Sequence, residues 1–363
     1  MVPLLTRSKR CKTISMKQTL GYIHNILLAT LSLLFMAQTA VADPSAIVLL
    51  YHRFGEDEYP STNIRLEQLE NHIRLLKQGG YHFMSLSDAA QHIQNRQDFP
   101  ARTIVITVDD AYKSVFDKGW PLLKAAGIPM TLFVSTDPID EEHSNYMTWD
   151  SIRAIKADGV EIGHHSASHL HMVHDGVEAS KADIARASKR FREELGSVPA
   201  LFAYPYGEYS TAMKEMIKDA GFTAAFAQFS GPIAAHEDMY ALPRFPVNER
   251  YGDEGRFKLI TEAIALPVSD IVPSGSLVPT DRNPPVFGFT VDPSVKGLSA
   301  LSCYPSHLGE PATLLRPQPN RVEVRFTEPF PKGRNRINCT MPAGAGRWYW
   351  FGRFFMVPGG DRD

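Results

Sequence analysis

An α/β fold built on a parallel sheet, followed by a small all-β module, is what the sequence predicts for this 363-residue chain. Three observations predict it. Strand-like and helix-like segments alternate from about residue 46 to residue 266, the texture turns Pro-rich and aperiodic after Leu266, and short β-branched or aromatic runs fill the remainder. With 44% hydrophobic and 21% charged residues, the chain has ordinary globular composition and ample length for one large core and a smaller one. The formal charge of −2 and the lack of a Lys/Arg run beyond the first dozen residues exclude a nucleic-acid-binding footprint.

Arg7, Lys9, Arg10 and Lys12 precede an apolar run from Ile26 to Met36, and Ala40-Val41-Ala42 follows it. Basic, apolar, small is the order of a signal peptide, so residues 1–42 are expected to be one, with cleavage after Ala42. The run is short for a bilayer anchor, so no stable membrane span is expected after cleavage, and the mature chain is expected to be exported, periplasmic or secreted. Of the three cysteines, Cys11 lies in the removed segment, which leaves Cys303 and Cys339 as an even pair in an oxidising compartment and predicts a disulfide.

Ala46–Tyr51 is a short buried-strand pattern ending at His52, and Leu66, Leu69, Ile73 and Leu76 then recur at helical intervals until Gly79-Gly80 stops them. Tyr81–Ser85 reads as a strand and Ser87–Ile93 as a capped helix. Thr103–Val108, Ile128–Val134, Val160–Gly163 and Ala200–Tyr204 read as further strands, with Trp149–Ala157 and Ala179–Leu195 among the helices between them. Such β-α repetition builds a parallel sheet, open or closed into a barrel, and in both forms ligands gather at the carboxyl ends of the strands. Residues 43–266 are thus expected as one domain. Residues 267–285, punctuated by Pro267, Pro273, Pro279, Pro284 and Pro285, are expected as a linker. Residues 286–363, with Arg321–Phe326 and Arg347–Phe351 as the clearest strands, are expected as a small β-rich module. In it Trp348, Tyr349 and Trp350 alternate faces, which offers either core aromatics or a ring for stacking on sugars.

Three of the predicted strands end in polar residues. Asp109 and Asp110 follow an apolar run as adjacent carboxylates, which repel each other unless a cation neutralises them; an N-cap with a spare acid is the plainer alternative. His165 and His169, four apart, can offer nitrogens to one ion, although His164, His171 and His174 crowd the same stretch. With one carboxylate they make a three-ligand set that leaves a position open for water. Tyr204-Pro205-Tyr206-Gly207 reads, by composition alone, as a turn.

Taken in order, these segments resemble the polysaccharide deacetylases with the NodB homology domain, carbohydrate esterase family 4. Thr107–Tyr112 matches Thr-x-Asp-Asp-Gly-Tyr, Glu161–His169 matches Glu-Ile-Gly-Asn-His-(Ser/Thr)-x-x-His, and Ala203–Gly207 matches Arg-x-Pro-Tyr-Gly. Tyr51-His52-Arg53, Ile128–Val134 and Met147-Thr148-Trp149 are supporting matches, and the resemblance covers roughly residues 46–250. It implies a distorted (β/α) barrel of the NodB-like type. It further implies that Asp110, His165 and His169 bind a divalent metal, zinc in the usual case with Co2+ or Ni2+ as alternatives. Asp109 is then the general base toward water, the Tyr206 amide is the oxyanion donor, and Pro205 and Tyr112 lie beside the substrate. Two departures stand out. The family's Arg in the third motif is Ala203 here, for which Arg244 is the candidate replacement, and the Leu-x-His that supplies a general acid has no match, for which His52 is the candidate. The implied activity is removal of acetyl groups, N-acetyl first, from an acetylated polysaccharide. An acetyl-ester esterase of the acetylxylan type on the same site and a carbohydrate-binding pseudoenzyme are the alternatives.

Overall fold

In the computed structural model, residues 42–360 are described, and the expected signal peptide up to Val41 lies outside the described residues. Strand β1 (Ser45–Tyr51) is buried at every position, as a strand covered on both faces must be. Helix α1 (Leu66–Gln78) turns Leu69, His72 and Leu76 inward and ends at Gly79, with Gly80 at φ 67°. After β2 (His82–Phe83), helix α2 (Leu86–Gln94) is capped by Ser85, whose hydroxyl accepts the Asp88 amide, two residues earlier than the Ser87 that the sequence pattern suggests.

The alternation continues through β3 (Thr103–Val108), β4 (Met130–Val134), α3 (Trp149–Ala157) and β5 (Glu161–His164). It ends with α4 (Val177–Leu195), β6 (Leu201–Ala203), α5 (Thr211–Asp219), β7 (Ala224–Phe226), β8 (Phe245–Pro246) and α6 (Glu254–Thr261). The strands lie in the order β7-β6-β5-β4-β3-β1, all parallel, and β2 pairs with the first residues of β3 ahead of β4. Closure is made by a short segment: Leu242 bridges Phe226 of β7, and Phe245 of β8 pairs with Leu49 of β1. The result is the distorted barrel that the motifs imply, narrow where two-residue strands replace full ones.

Period-two alternation decides what faces the barrel axis. Val48, Val105, Phe133, Ala203 and Phe226 form one core cluster, while Ile47, Leu49, Ile106 and Leu132 pack outward among the helices. Residues α2 contributes to the inner cluster, Leu86, Ala89, Ala90 and Ile93, close its amino end. Continuing the alternation of β3 past Val105 sends Thr107 and Asp109 inward at the carboxyl end.

The chain then passes through β9 (Ala263–Ala265) into a sandwich made of β10 (Val268–Val272), β11 (Phe287–Val291), β12 (Ser302–Pro305), β13 (Thr313–Gln318), β14 (Arg321–Arg325), β15 (Gly333–Gly344) and β16 (Arg347–Val357). One sheet runs β9-β16-β15-β12 and the other β10-β11-β14-β13. Part of the Pro-rich stretch expected as a linker is therefore an edge strand. Pro267 and Pro273 flank β10, and an edge position is where a sheet tolerates neighbouring prolines. Cys303 and Cys339 face each other across β12 and β15 and form a disulfide in the sandwich core.

The sandwich is fused to the barrel. Trp350 meets Phe245 edge-on with ring centroids 5.1 Å apart, and Phe354 and Met356 join a core cluster with Tyr204 and Tyr209 of the barrel. At Gly352 any Cβ would fall 1.8 Å from the Ser230 carbonyl oxygen, so the two backbones meet too closely for a side chain. Of the three alternating aromatics only Trp348 is exposed, at 36%, while Tyr349 packs on the sandwich core and Trp350 on the barrel. Among the described residues no helix is long and apolar enough to cross a membrane.

Candidate active site

Three of the segments that bring polar groups to the carboxyl end of the barrel leave their strands through left-handed backbone. Asp110 and Ala111 have φ 77° and 58°, Ser166 and His169 have 66° and 54°, and Tyr206 has 57°. Side-chain-bearing residues adopt this region at a cost of about 1–2 kcal/mol each, and such strain concentrates where chain direction serves a site.

Asp109 is almost fully buried and takes two parallel hydrogen bonds from Arg244, Nη1 to Oδ1 and Nη2 to Oδ2, both 2.7 Å. Arg244 is wholly buried and also donates from Nε to the Ala227 carbonyl (3.0 Å) and from Nη1 to the Thr107 hydroxyl (3.3 Å). Its guanidinium lies over the Phe133 ring at 5.4 Å, within the core cluster to which Ala203 belongs. A side chain from the segment before β8 thus reaches Asp109 from beside the cluster that contains Ala203. Burial alone would raise the Asp109 pKa, but Arg244, with His165, outweighs it and holds the carboxyl below its ordinary range.

Asp110, His165 and His169 converge beside this pair. Their ligand atoms lie within 4.8 Å of one another, with Asp110 Oδ1 3.4 Å from His165 Nε2 and 3.3 Å from His169 Nε2. His165 Nδ1 is 2.8 Å from the Ala203 carbonyl, to which it can only donate, so the neutral ring turns the lone pair of Nε2 toward Asp110. Asp110 Oδ1 is buried without a hydrogen-bond donor. An orphaned carboxylate oxygen facing imidazole nitrogens is a donor set that could hold a cation. One oxygen and two nitrogens suit zinc, cobalt or nickel and leave a coordination position open. For His165 burial opposes charging, yet Asp109 and Asp110 raise its pKa, the electrostatic sign of a site short of positive charge. His169 is lowered to about 4, burial being the main cause.

Loop 166–169 is held from behind. Asp183 of α4 accepts the Ala167 amide (2.7 Å) and the Ser168 hydroxyl (2.8 Å), and the Ser166 hydroxyl accepts the His169 amide (3.1 Å). Tyr206 and the buried Pro205 sit in a single 3₁₀ turn; Pro205 has no N–H, so the Tyr206 amide is the first donor of that turn. Gly207 follows at φ 70°, where a Cβ would lie 2.3 Å from that of Gln228. The Tyr206 ring contacts His169 edge-on at 4.4 Å and stacks on His171 at 3.8 Å. On the opposite side Tyr112 packs against Tyr146 at 4.8 Å under the Arg53 guanidinium at 3.3 Å. His52 is half-buried within the fields of Asp110, Asp109, Arg244 and His165, and burial lowers its pKa.

All nine residues singled out from the sequence gather at this end of the barrel. Sequence reasoning missed Glu208, buried and 3.2 Å from His171 Nδ1, and Arg334 of β15, whose guanidinium lies 5.3 Å from the Tyr206 ring. Glu208 directly follows the Tyr-Pro-Tyr-Gly turn, a signal available in the sequence; Arg334 lies 128 positions beyond Tyr206, where only the tertiary fold connects them.

Residues 96–225 match the family described as "Polysaccharide deacetylase". A poly-beta-1,6-N-acetyl-D-glucosamine N-deacetylase of Staphylococcus aureus is 22% identical over 231 residues, 56% of this chain and 79% of that one. Among solved structures, IcaB from Ammonifex degensii superposes with a TM-score of 0.52 at 23% identity, covering 61% of this chain and 98% of that one. A de-N-acetylase from Aggregatibacter actinomycetemcomitans gives 0.53 at 20% identity, covering 60% and 99%. These structural likenesses concern the barrel fold, and within that barrel residues 96–225 carry the match to the polysaccharide deacetylase family.

Proposed function

We propose that the protein is an exported, metal-dependent deacetylase that hydrolyses N-acetyl groups on a carbohydrate polymer. The observation that carries this is the buried Asp109, clamped by Arg244 through two 2.7 Å hydrogen bonds, next to the converging Asp110, His165 and His169. A divalent ion held by those three would polarise the acetyl carbonyl and acidify water at the open position. Asp109, kept ionised by Arg244, accepts the proton of the attacking water. The Tyr206 amide donates to the oxyanion that forms as water adds to the carbonyl carbon. His52 delivers a proton to the departing nitrogen; burial lowers its pKa and so disfavours a standing imidazolium, and the proton it passes on is the one released from the attacking water and taken up at Asp109. The C–N bond breaks, leaving acetate and a free amine on the polymer.

Export is supported by the basic, apolar, small order of the N-terminal residues and by the Cys303–Cys339 disulfide, which belongs to an oxidising compartment. The test is acetate release by purified residues 43–363 from a panel of N- and O-acetylated glycans, run beside Asp109→Asn. Release from an N-acetylated glycan by the parent and its collapse in the variant, with glycan binding retained, is the expected result. Binding without release in the parent would make the protein a lectin-like pseudoenzyme instead.

A further inference from the structure

Where the sandwich meets the barrel, a cleft of about 610 Å³ opens beside the catalytic residues. His171 belongs to both places: it lines the cleft and stacks on Tyr206, whose ring touches His169. The far wall of the cleft is Lys332, Arg334 and Arg336 of the sandwich. Strand alternation produces this wall. Asn335, Ile337 and Cys339 turn into the sandwich, so Arg334 and Arg336 emerge toward the barrel with Lys332 just ahead of them. Against three cations the described lining holds one carboxylate, Glu208, which is shared with His171 at 3.2 Å and with Arg334 at 3.9 Å. Arg336 donates from Nε to the Gln228 carbonyl (2.9 Å), and burial, with Arg334 adding to it, lowers its pKa to about 10. Lys332 is exposed and has no ion-pair partner among the described residues. A chain with formal charge −2 therefore concentrates positive charge on one wall of a cleft that adjoins its site.

We propose that this cleft is a subsite for a carboxylate-bearing sugar of the substrate, so that the protein prefers an N-acetylated glycan containing uronic acid residues over a neutral one. Guanidinium groups match a planar carboxylate with two parallel donors, and a lysine at the mouth adds attraction at longer range. Positive charge at this place also disfavours glycan segments already converted to free amines. The proposal rests on the reading above that the protein acts on a glycan, and it concerns binding, so it can be tested without turnover.

The experiment measures binding by calorimetry to Asp109→Asn protein, at low and at physiological salt, of two oligosaccharides of equal length. One alternates N-acetylglucosamine with glucuronate; the other is N-acetylglucosamine alone. The uronate-containing oligosaccharide should bind more tightly, with the advantage shrinking as salt rises. Lys332→Glu, on an exposed position that leaves the fold intact, should weaken its binding about tenfold while affinity for the neutral one stays the same. Arg334→Gln should act in the same direction. Equal affinities for the two oligosaccharides, or a loss in Lys332→Glu that is the same for both, would overturn the subsite. Binding of neither would defeat the glycan reading itself. Inorganic phosphate displacing the uronate sugar as effectively as free glucuronate would show an unspecific anion site and likewise overturn it.

Discussion

Replacing Arg244 by glutamine probes the feature on which the proposed mechanism most depends. The arginine is fully buried, and its loss removes two 2.7 Å hydrogen bonds and the charge that keeps Asp109 ionised. Breaking a buried ion pair by removing one partner typically costs about 3–5 kcal/mol of stability, so a lower melting temperature is expected. The kinetic effect is separable. A positioned general base contributes about 10²–10⁴-fold, and Asp109 remains present but unclamped and easier to protonate, so kcat should fall about 100-fold. KM should change little, and metal content should be unchanged, because the hydrogen bonds of Arg244 go to Asp109, Thr107 and Ala227 and not to Asp110, His165 or His169. The assay is acetate release at a temperature where the variant is folded by circular dichroism, with metal measured on the same sample. Ala203→Arg in the Arg244→Gln background should restore part of the loss, since Ala203 shares a core cluster with Phe133, the ring over which Arg244 lies. A folded, metal-loaded Arg244→Gln protein with kcat within a few-fold of the parent would refute the reasoning.

His52→Ala should lower kcat on N-acetyl substrates more than on acetyl esters with good leaving groups, which need less protonation; equal loss on both would remove the acid role. Gly207→Ala places a Cβ 2.3 Å from that of Gln228 at φ 70°, so a destabilisation of about 1–3 kcal/mol by urea titration and a displaced Tyr206 turn with reduced kcat are expected. His72 is stacked on Phe257 at 3.7 Å, donates to the Gly252 carbonyl (2.8 Å) and accepts from the Tyr51 hydroxyl (3.1 Å), and burial lowers its pKa to about 4. Between pH 4 and the ordinary imidazole value near 6.5 the unfolded chain binds a proton that the fold refuses, so stability falls as pH falls through that window. The loss should reach about 3 kcal/mol, and His72→Gln should flatten the slope of stability against pH there; an unchanged slope would exclude His72 as its source.

What could be read from sequence, and what could not, follows from distance along the chain. Asp109, Asp110 and His165 stood out because apolar strands end in polar residues, and a buried strand has no use for them except at its mouth. The helices over 66–78 and 149–157 follow apolar spacing that survives in the fold. Arg244 was nameable only because Ala203 left a vacancy in a motif; a single arginine before a two-residue strand carries no periodic signal. The β10 strand hid between Pro267 and Pro273, since prolines that suit an edge strand look the same as prolines that punctuate a linker. Lys332, Arg334 and Arg336 make no continuous basic run, yet every second residue of a strand shares a face, and only the docking of sandwich on barrel shows which surface that face meets. The same docking ties the C-terminal module to the barrel: Trp350, Phe354 and Met356 pack on or within barrel clusters, and deletion of the module would open those clusters to water.

The central claim is that Asp110, His165 and His169 hold one catalytic divalent ion. Its most direct test measures metal stoichiometry and acetate release on the same protein, before chelation, after it and after stepwise return of zinc, cobalt or nickel. Activity should disappear on chelation and return with one equivalent of ion per chain, while a folded His169→Gln variant should bind the ion weakly and recover no activity on its return. Full acetate release from metal-free protein, or restored activity with no dependence on His169, would contradict it.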